Sequence, residues 1–218
     1  MKNILFLVGS PKIKKSTSEA IIDYIIEGIN VKNIDTEIEK INILSAIEKE
    51  PLKLIDAVNK ADTIVLSFPT YIDTLPTHVI RALLLIDEYA DKYKERNFMA
   101  IANCGFPEPL HNDNVMKIYK NYCNHNNFRW IGGISIGGGG VLSGKSLTEF
   151  GGMTKKLNKI LDSVTELILE QNDEIFDVIQ IQIVPTKIYT IIGNIGLVRQ
   201  SKKDGVFEKM NDTPYIED

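Results

Sequence analysis

Residues 139–146 read GGVLSGKS, a complete G-x-x-x-x-G-K-S pattern. In a phosphate loop of that form, backbone N–H groups cradle phosphates, the lysine reaches the terminal ones and the serine hydroxyl holds Mg²⁺. That chemistry needs a strand before the loop, a helix starting at the lysine, and a later strand ending in a metal-ordering Asp. Downstream the 218-residue chain offers one long helical pattern and no apolar run that ends in Asp. Gly151 and Gly152 also disfavour a helix running on from Lys145. The match is read as accidental, and nucleotide hydrolysis is not expected. The glycines then imply either a mobile loop at a crevice mouth or a plain crossover.

A second cluster, GSPKIKKSTS at 9–18, has its own phosphate chemistry. Gly9 allows a tight exit from a strand, and Ser10, Ser16, Thr17 and Ser18 supply hydroxyls. Lys12, Lys14 and Lys15 add positive charge. The loop runs into a helical pattern, whose first free N–H groups and dipole favour an anion. A phosphate monoester is the natural guest; the alternative is that residues 16–18 only cap the helix.

These loops must be held by regular elements. Short apolar runs at 3–8, 63–68, 98–102 and 130–136 read as strands buried on both faces. Residues 36–43 alternate and give a further strand. Helical spacing marks 18–29, 52–60, 76–86, 114–127 and 154–169. Strand and helix alternate five times, which predicts an α/β fold with a doubly wound, five-stranded parallel sheet. The flavodoxin-like order 2-1-3-4-5 is expected for that length. Residues 1–172 form the expected domain. Residues 173–218 are expected as a C-terminal extension, with 175–198 unusually apolar and a short helix after Pro185. This segment is expected to pack on the domain or on a partner subunit; docking on a membrane surface is the lesser alternative, because its polar face lacks a strong basic cluster.

In order 2-1-3-4-5 the loops after strands one, three and four surround one crevice. They are 9–18, PTYIDTLP (69–76) and NCGFPEP (103–109). Cys104 there reads as a buried small hydrophobe or a redox thiol. Neither His78, His111 nor His125 has metal-ligand spacing with a partner, so no metal site is assigned. Tyr119 and Tyr122 share a helix face and read as core or dimer contact. No residue stands out as a catalytic acid, base or nucleophile.

A formal net charge of -4 gives no reason to expect nucleic acid as a partner. Two cysteines cannot make a four-thiolate cluster, no run reaches membrane-spanning length, and no secretory segment is legible. A reducing cytoplasm is the expected location.

The loop GSPKIKKSTSEAII resembles the flavin-phosphate loop of the flavodoxin-like NAD(P)H-dependent FMN reductase family, usually G-S-P-R followed by G-N-S or G-N-T. PTYIDTLP resembles that family's second loop, P-x-Y-W-x-x-M-P, although Ile72 stands where an aromatic is usual. The resemblance covers about residues 1–170. It implies that Ser10, Lys12, Ser16, Thr17 and Ser18 hold the FMN phosphate. Pro69, Thr70, Tyr71 and Ile72 would line one side of the ring, and Asn103, Gly105 and Phe106 the pyrimidine side. It further implies NAD(P)H as co-substrate and a small-molecule acceptor such as a quinone or flavin. A homodimer is expected from the chain itself: Ile72 replaces the aromatic, the crevice loops are short, and 175–198 is an extra apolar segment. Two other functions fit the same fold: a flavodoxin-type electron carrier, and a flavin-free interaction protein.

Overall fold

Buried apolar runs become strands here because helices cover both faces of the sheet. The computed structural model describes residues 1–12, 14–142, 144–170 and 175–212. In chain order the elements are β1 (Lys2–Val8), α1 (Thr17–Lys32), β2 (Thr36–Asn42), α2 (Ile43–Lys49), α3 (Pro51–Lys60), β3 (Thr63–Thr70) and α4 (Thr77–Tyr89). Then come β4 (Arg96–Cys104), α5 (Asp113–His125), β5 (Phe128–Gly137), α6 (Lys155–Leu169), β6 (Val178–Gln182) and α7 (Thr186–Lys203). Short 3₁₀ turns cover Pro109–Asn112, Gly139–Leu142 and Leu147–Thr154. The chain divides into two compact units, Met1–Ile183 and Val184–Asp218.

All strands of the first unit are parallel, in the order β2-β1-β3-β4-β5-β6. The expected order of the first five holds, but the sheet has six strands rather than five. The sixth lies in the stretch expected as an extension. Val178 pairs with Gly133 and Gln182 with Gly137. Ile181 is buried between exposed Gln180 and Gln182, the half-buried alternation of an edge strand. On paper this five-residue alternation is submerged in the longer apolar segment.

One further element was not expected. Asn42 ends β2 and accepts a hydrogen bond from the Ser45 backbone N–H at 3.0 Å, capping α2.

The core lies on both sides of β1, β3 and β4. Ile21, Ile22, Ile25 and Ile29 of α1 are buried, as are Leu157, Leu161, Val164 and Ile168 of α6. The helices α4 and α5 bury Val79, Leu83 and Ile86 together with Val115, Met116 and Tyr119. Strand order reverses between β1 and β3, so the loops leaving their carboxyl ends diverge and open a crevice.

Candidate functional site

A cavity of about 280 Å³ opens at that switch point. Ser10, Lys12, Ser16, Thr17, Ser18, Pro69, Thr70, Tyr71, Asn103 and Gly105 line it, with Cys104 and Gly140. Ten of the twelve expected site residues therefore meet in one place. Ile72 and Phe106 do not line it: they are 96% and 57% exposed on the same loops.

The first wall is the entry to α1. Ser16 is its N-cap, and its Oγ accepts from the Glu19 backbone N–H at 3.1 Å. Capping and cradling are not exclusive, because the cap uses only the acceptor side of the hydroxyl. Ser10 Oγ likewise accepts, from the Lys12 N–H at 3.2 Å, and Ser18 Oγ accepts from Asn103 Nδ2 at 3.0 Å. A hydroxyl has one donor and two acceptor positions, so all three serines keep their O–H hydrogens for a ligand oxygen. Thr17 differs. Its Oγ1 donates to the Gly139 carbonyl at 2.8 Å, which commits its only hydrogen to holding the loop after β5.

Asn103 ties the loops together. Its Nδ2 donates to Ser18 Oγ at 3.0 Å and to the Phe68 carbonyl at 2.9 Å, so both amide hydrogens serve the protein. Gly139 packs on the same side chain: a Cβ there would lie 2.9 Å from Asn103 Cβ and Oδ1. Gly139 is thus a close-approach glycine in an anchored loop, and the mobile-loop expectation fails there. Gly9 has a similar role. A Cβ on it would stand 2.7 Å from Phe68 Cβ, and the Gly9 carbonyl accepts from His78 Nε2 at 2.9 Å.

Thr70, 6% exposed, also lines the cavity; its Oγ1 is buried and has no partner among the described residues.

The second loop turns sharply. Tyr71 and Thr74 exchange both backbone hydrogen bonds at 3.1 Å, and φ is positive at Ile72 (50°) and Asp73 (54°). Such a two-residue turn suits Asn and Gly, whereas a β-branched residue there is strained. Ile72→Asn should raise stability by about 1 kcal/mol, since almost no buried surface is lost. Denaturant midpoints check this; an unchanged or lowered midpoint would mean that Ile72 is covered by something that rewards its side chain.

At the rim, His111 Nδ1 meets Asp73 Oδ1 at 2.9 Å, and the His111 ring lies 4.5 Å from that of Phe106. This cluster bridges the second and third loops. Sequence spacing gave no signal for it, because its members come from separate loops. Cys104 is buried with its Sγ 3.4 Å from the Phe106 carbonyl, and burial pushes its thiol pKa up. That favours the neutral thiol and the reading of Cys104 as a buried small side chain.

The pseudo-phosphate loop does not form a Walker site. Ser146 caps the 3₁₀ turn Leu147–Thr154, and α6 begins only at Lys155. Lys145 Nζ sits 6.0 Å from the Phe150 ring centroid.

Solved structures share this architecture. An apo NADH:FMN oxidoreductase superposes with a TM-score of 0.57 at 13% identity, covering 79% of this chain and 92% of that one. An oxidoreductase from Corynebacterium diphtheriae gives 0.55 at 11%, covering 79% and 99%. An FMN-dependent NADH-azoreductase from Bacillus anthracis, in complex with FMN, gives 0.50 at 14%, covering 78% and 100%. The likeness is one of fold, a doubly wound parallel sheet of flavodoxin-like order. No protein-family model matches the chain, and neither does any curated protein. In this fold the cavity described above sits at the crevice where ligands bind.

Proposed function

We propose that the protein is an FMN-dependent NAD(P)H oxidoreductase that passes a hydride to a small acceptor such as a quinone or flavin. One observation carries the proposal: Ser10, Ser16 and Ser18 line the cavity at the entry to α1, and among the described residues none of their hydroxyls donates a hydrogen bond. Donors without acceptors at a positive helix end suit a phosphate monoester. Lys12 lines the same cavity and adds charge.

Bound there, FMN supplies the hydride chemistry, which accounts for the absence of an obvious catalytic acid or base. The chain's part is to hold and shield. Asn103 fixes the α1 entry to the end of β3, and Thr17 fixes it to the loop after β5. Tyr71, half exposed, offers an aromatic surface to the ring. Exposed Ile72, Phe106 and Leu110 surround the mouth with apolar surface, which supports a homodimer that covers the ring and excludes water. A cytoplasmic location, where nicotinamide cofactors are available, completes the proposal.

The test compares FMN with riboflavin, which lacks the phosphate. Replacing Ser10, Ser16 and Ser18 together by Ala should weaken FMN binding about 10-fold or more and leave riboflavin binding nearly unchanged. Equal losses for both, or none for either, would reject the phosphate assignment. Anaerobic NADH or NADPH should then bleach the flavin absorbance of the wild type. A protein that holds FMN tightly yet is reduced by neither is a carrier and not a reductase.

A further inference from the structure

The crevice loops part where the sheet ends. Thr70 and Cys104 are the last paired residues of β3 and β4. From there the second loop turns back between Tyr71 and Thr74, and the third runs on to the 3₁₀ turn Pro109–Asn112. The two meet again at the mouth, where His111 Nδ1 lies 2.9 Å from Asp73 Oδ1. A carboxylate oxygen can only accept, so Nδ1 carries the hydrogen that joins them.

The two ends of this link are held unequally. His111 stands on a fixed base, because its neighbour Asn112 is fully buried. Asn112 Nδ2 donates to Ser135 Oγ at 3.0 Å and to the Ile136 carbonyl at 3.2 Å, and Ser135 Oγ donates to the Pro109 carbonyl at 2.7 Å. Gly137 lets the same loop lie on β5: a Cβ there would overlap the Pro107 carbonyl oxygen. Asp73, by contrast, sits in a turn with φ of 54°, beside Ile72 at 50°. Such backbone costs free energy and persists where its surroundings hold it. Among the described residues His111 is the partner of the Asp73 carboxylate.

As a contribution to folding the link is small. The Asp73 side chain is 50% exposed and that of His111 28%, and pairs in that setting contribute little. Its effect is on geometry. It spans the gap between the loop bearing Pro69, Thr70 and Tyr71 and the loop bearing Asn103 and Gly105, all of which line the cavity. The His111 ring also backs the Phe106 ring at 4.5 Å, so the same residue fixes the aromatic side chain of the third loop.

We propose that Asp73 and His111 form a clasp that sets these two loops at the spacing a bound isoalloxazine needs. Both are positioning residues for the ring. The proposal rests on the flavin reading above and deepens it, because the serines at the α1 entry hold the phosphate while the clasp acts on the ring. A gap set in advance spares the ligand the cost of ordering the loops. Every residue of the clasp lies within the unit Met1–Ile183.

The test is a double-mutant cycle on flavin affinity in the full-length protein, with riboflavin titrated beside FMN. Asp73→Gly removes the carboxylate at a position whose positive φ suits glycine. Asp73→Gly and His111→Ala should each weaken both flavins by the same factor, about 5-fold. The double variant should bind no more weakly than His111→Ala alone, because the pair acts as one unit. Asp73→Asn keeps an accepting oxygen in place and should restore most of the affinity. All variants should keep thermal midpoints near that of the wild type. Losses that add in the double variant, or that fall on FMN and spare riboflavin, would overturn the clasp and leave the phosphate site standing. So would unchanged affinity in either single variant. A wild type that binds neither flavin would overturn both readings.

Discussion

Asn103→Leu should lower unfolding free energy by about 2–4 kcal/mol and FMN affinity by at least about 10-fold. Leucine keeps the branching of the side chain but its methyl groups are bulkier than the amide, so the loss combines two hydrogen bonds with some overpacking against Gly139. Both bonds are buried: one goes to Ser18 Oγ, the other to the Phe68 carbonyl. Removing the amide leaves that carbonyl without this partner and frees Ser18 from the end of β4. The α1 entry is then positioned by Thr17 and Gly139 alone on that side. Asn103→Asp provides the control. It keeps the shape, but it sets a carboxylate against a carbonyl and beside the anion site, so FMN affinity should fall further than in the leucine variant. Denaturant unfolding and flavin fluorescence titration read the two effects separately. Wild-type stability and affinity in the leucine variant would show that Asn103 is not the hub.

Much of this site was legible in the sequence because its parts are local. A hydroxyl cluster before a helix, a Pro-Thr-Tyr turn and an Asn-Cys-Gly end each sit at the carboxyl end of an apolar run. Strand alternation alone then brings those ends together. What the sequence hid is how the hydroxyls divide their work. Nothing in S-T-S distinguishes Ser16 and Ser18, with hydrogens to spare, from Thr17, whose hydrogen is spent on Gly139. That distinction arises across 122 positions of chain. The Asp73–His111–Phe106 bridge was hidden for the same reason. The sixth strand was hidden differently. Its isoleucine–glutamine alternation spans only five residues and lies inside a segment expected as a whole to be an extension. The length of α7 was understated because the apolar pattern ends at Val198 while the helix continues through Lys203.

The α5 helix makes the protein sensitive to alkali. Tyr119 and Cys123 are buried and Tyr122 is partly so, and desolvation raises all three pKa values, that of Cys123 to about 12. Tyr122 donates to the Leu83 carbonyl at 2.9 Å, while the Tyr119 hydroxyl has no partner among the described residues. Each group is neutral when folded and ionises more readily when unfolded, near 9.0 for the thiol and 10.0 for the phenols. Their contribution is therefore complete below those unfolded values and is lost as pH rises toward the folded ones. Each proton held only by the folded state costs about 1.4 kcal/mol per pH unit. The pKa values of Cys104 and Tyr24 are raised in the same direction, so stability should fall increasingly steeply as pH rises above about 9. Tyr119→Phe removes one of these protons together with a buried hydroxyl that has no partner among the described residues. It should add about 1 kcal/mol at pH 7 and flatten the alkaline slope by about 1.4 kcal/mol per pH unit. Urea unfolding at stepped pH measures both quantities. A stability profile that stays level through pH 11, or a Tyr119→Phe slope identical to wild type, would show that these groups reach water in the folded state.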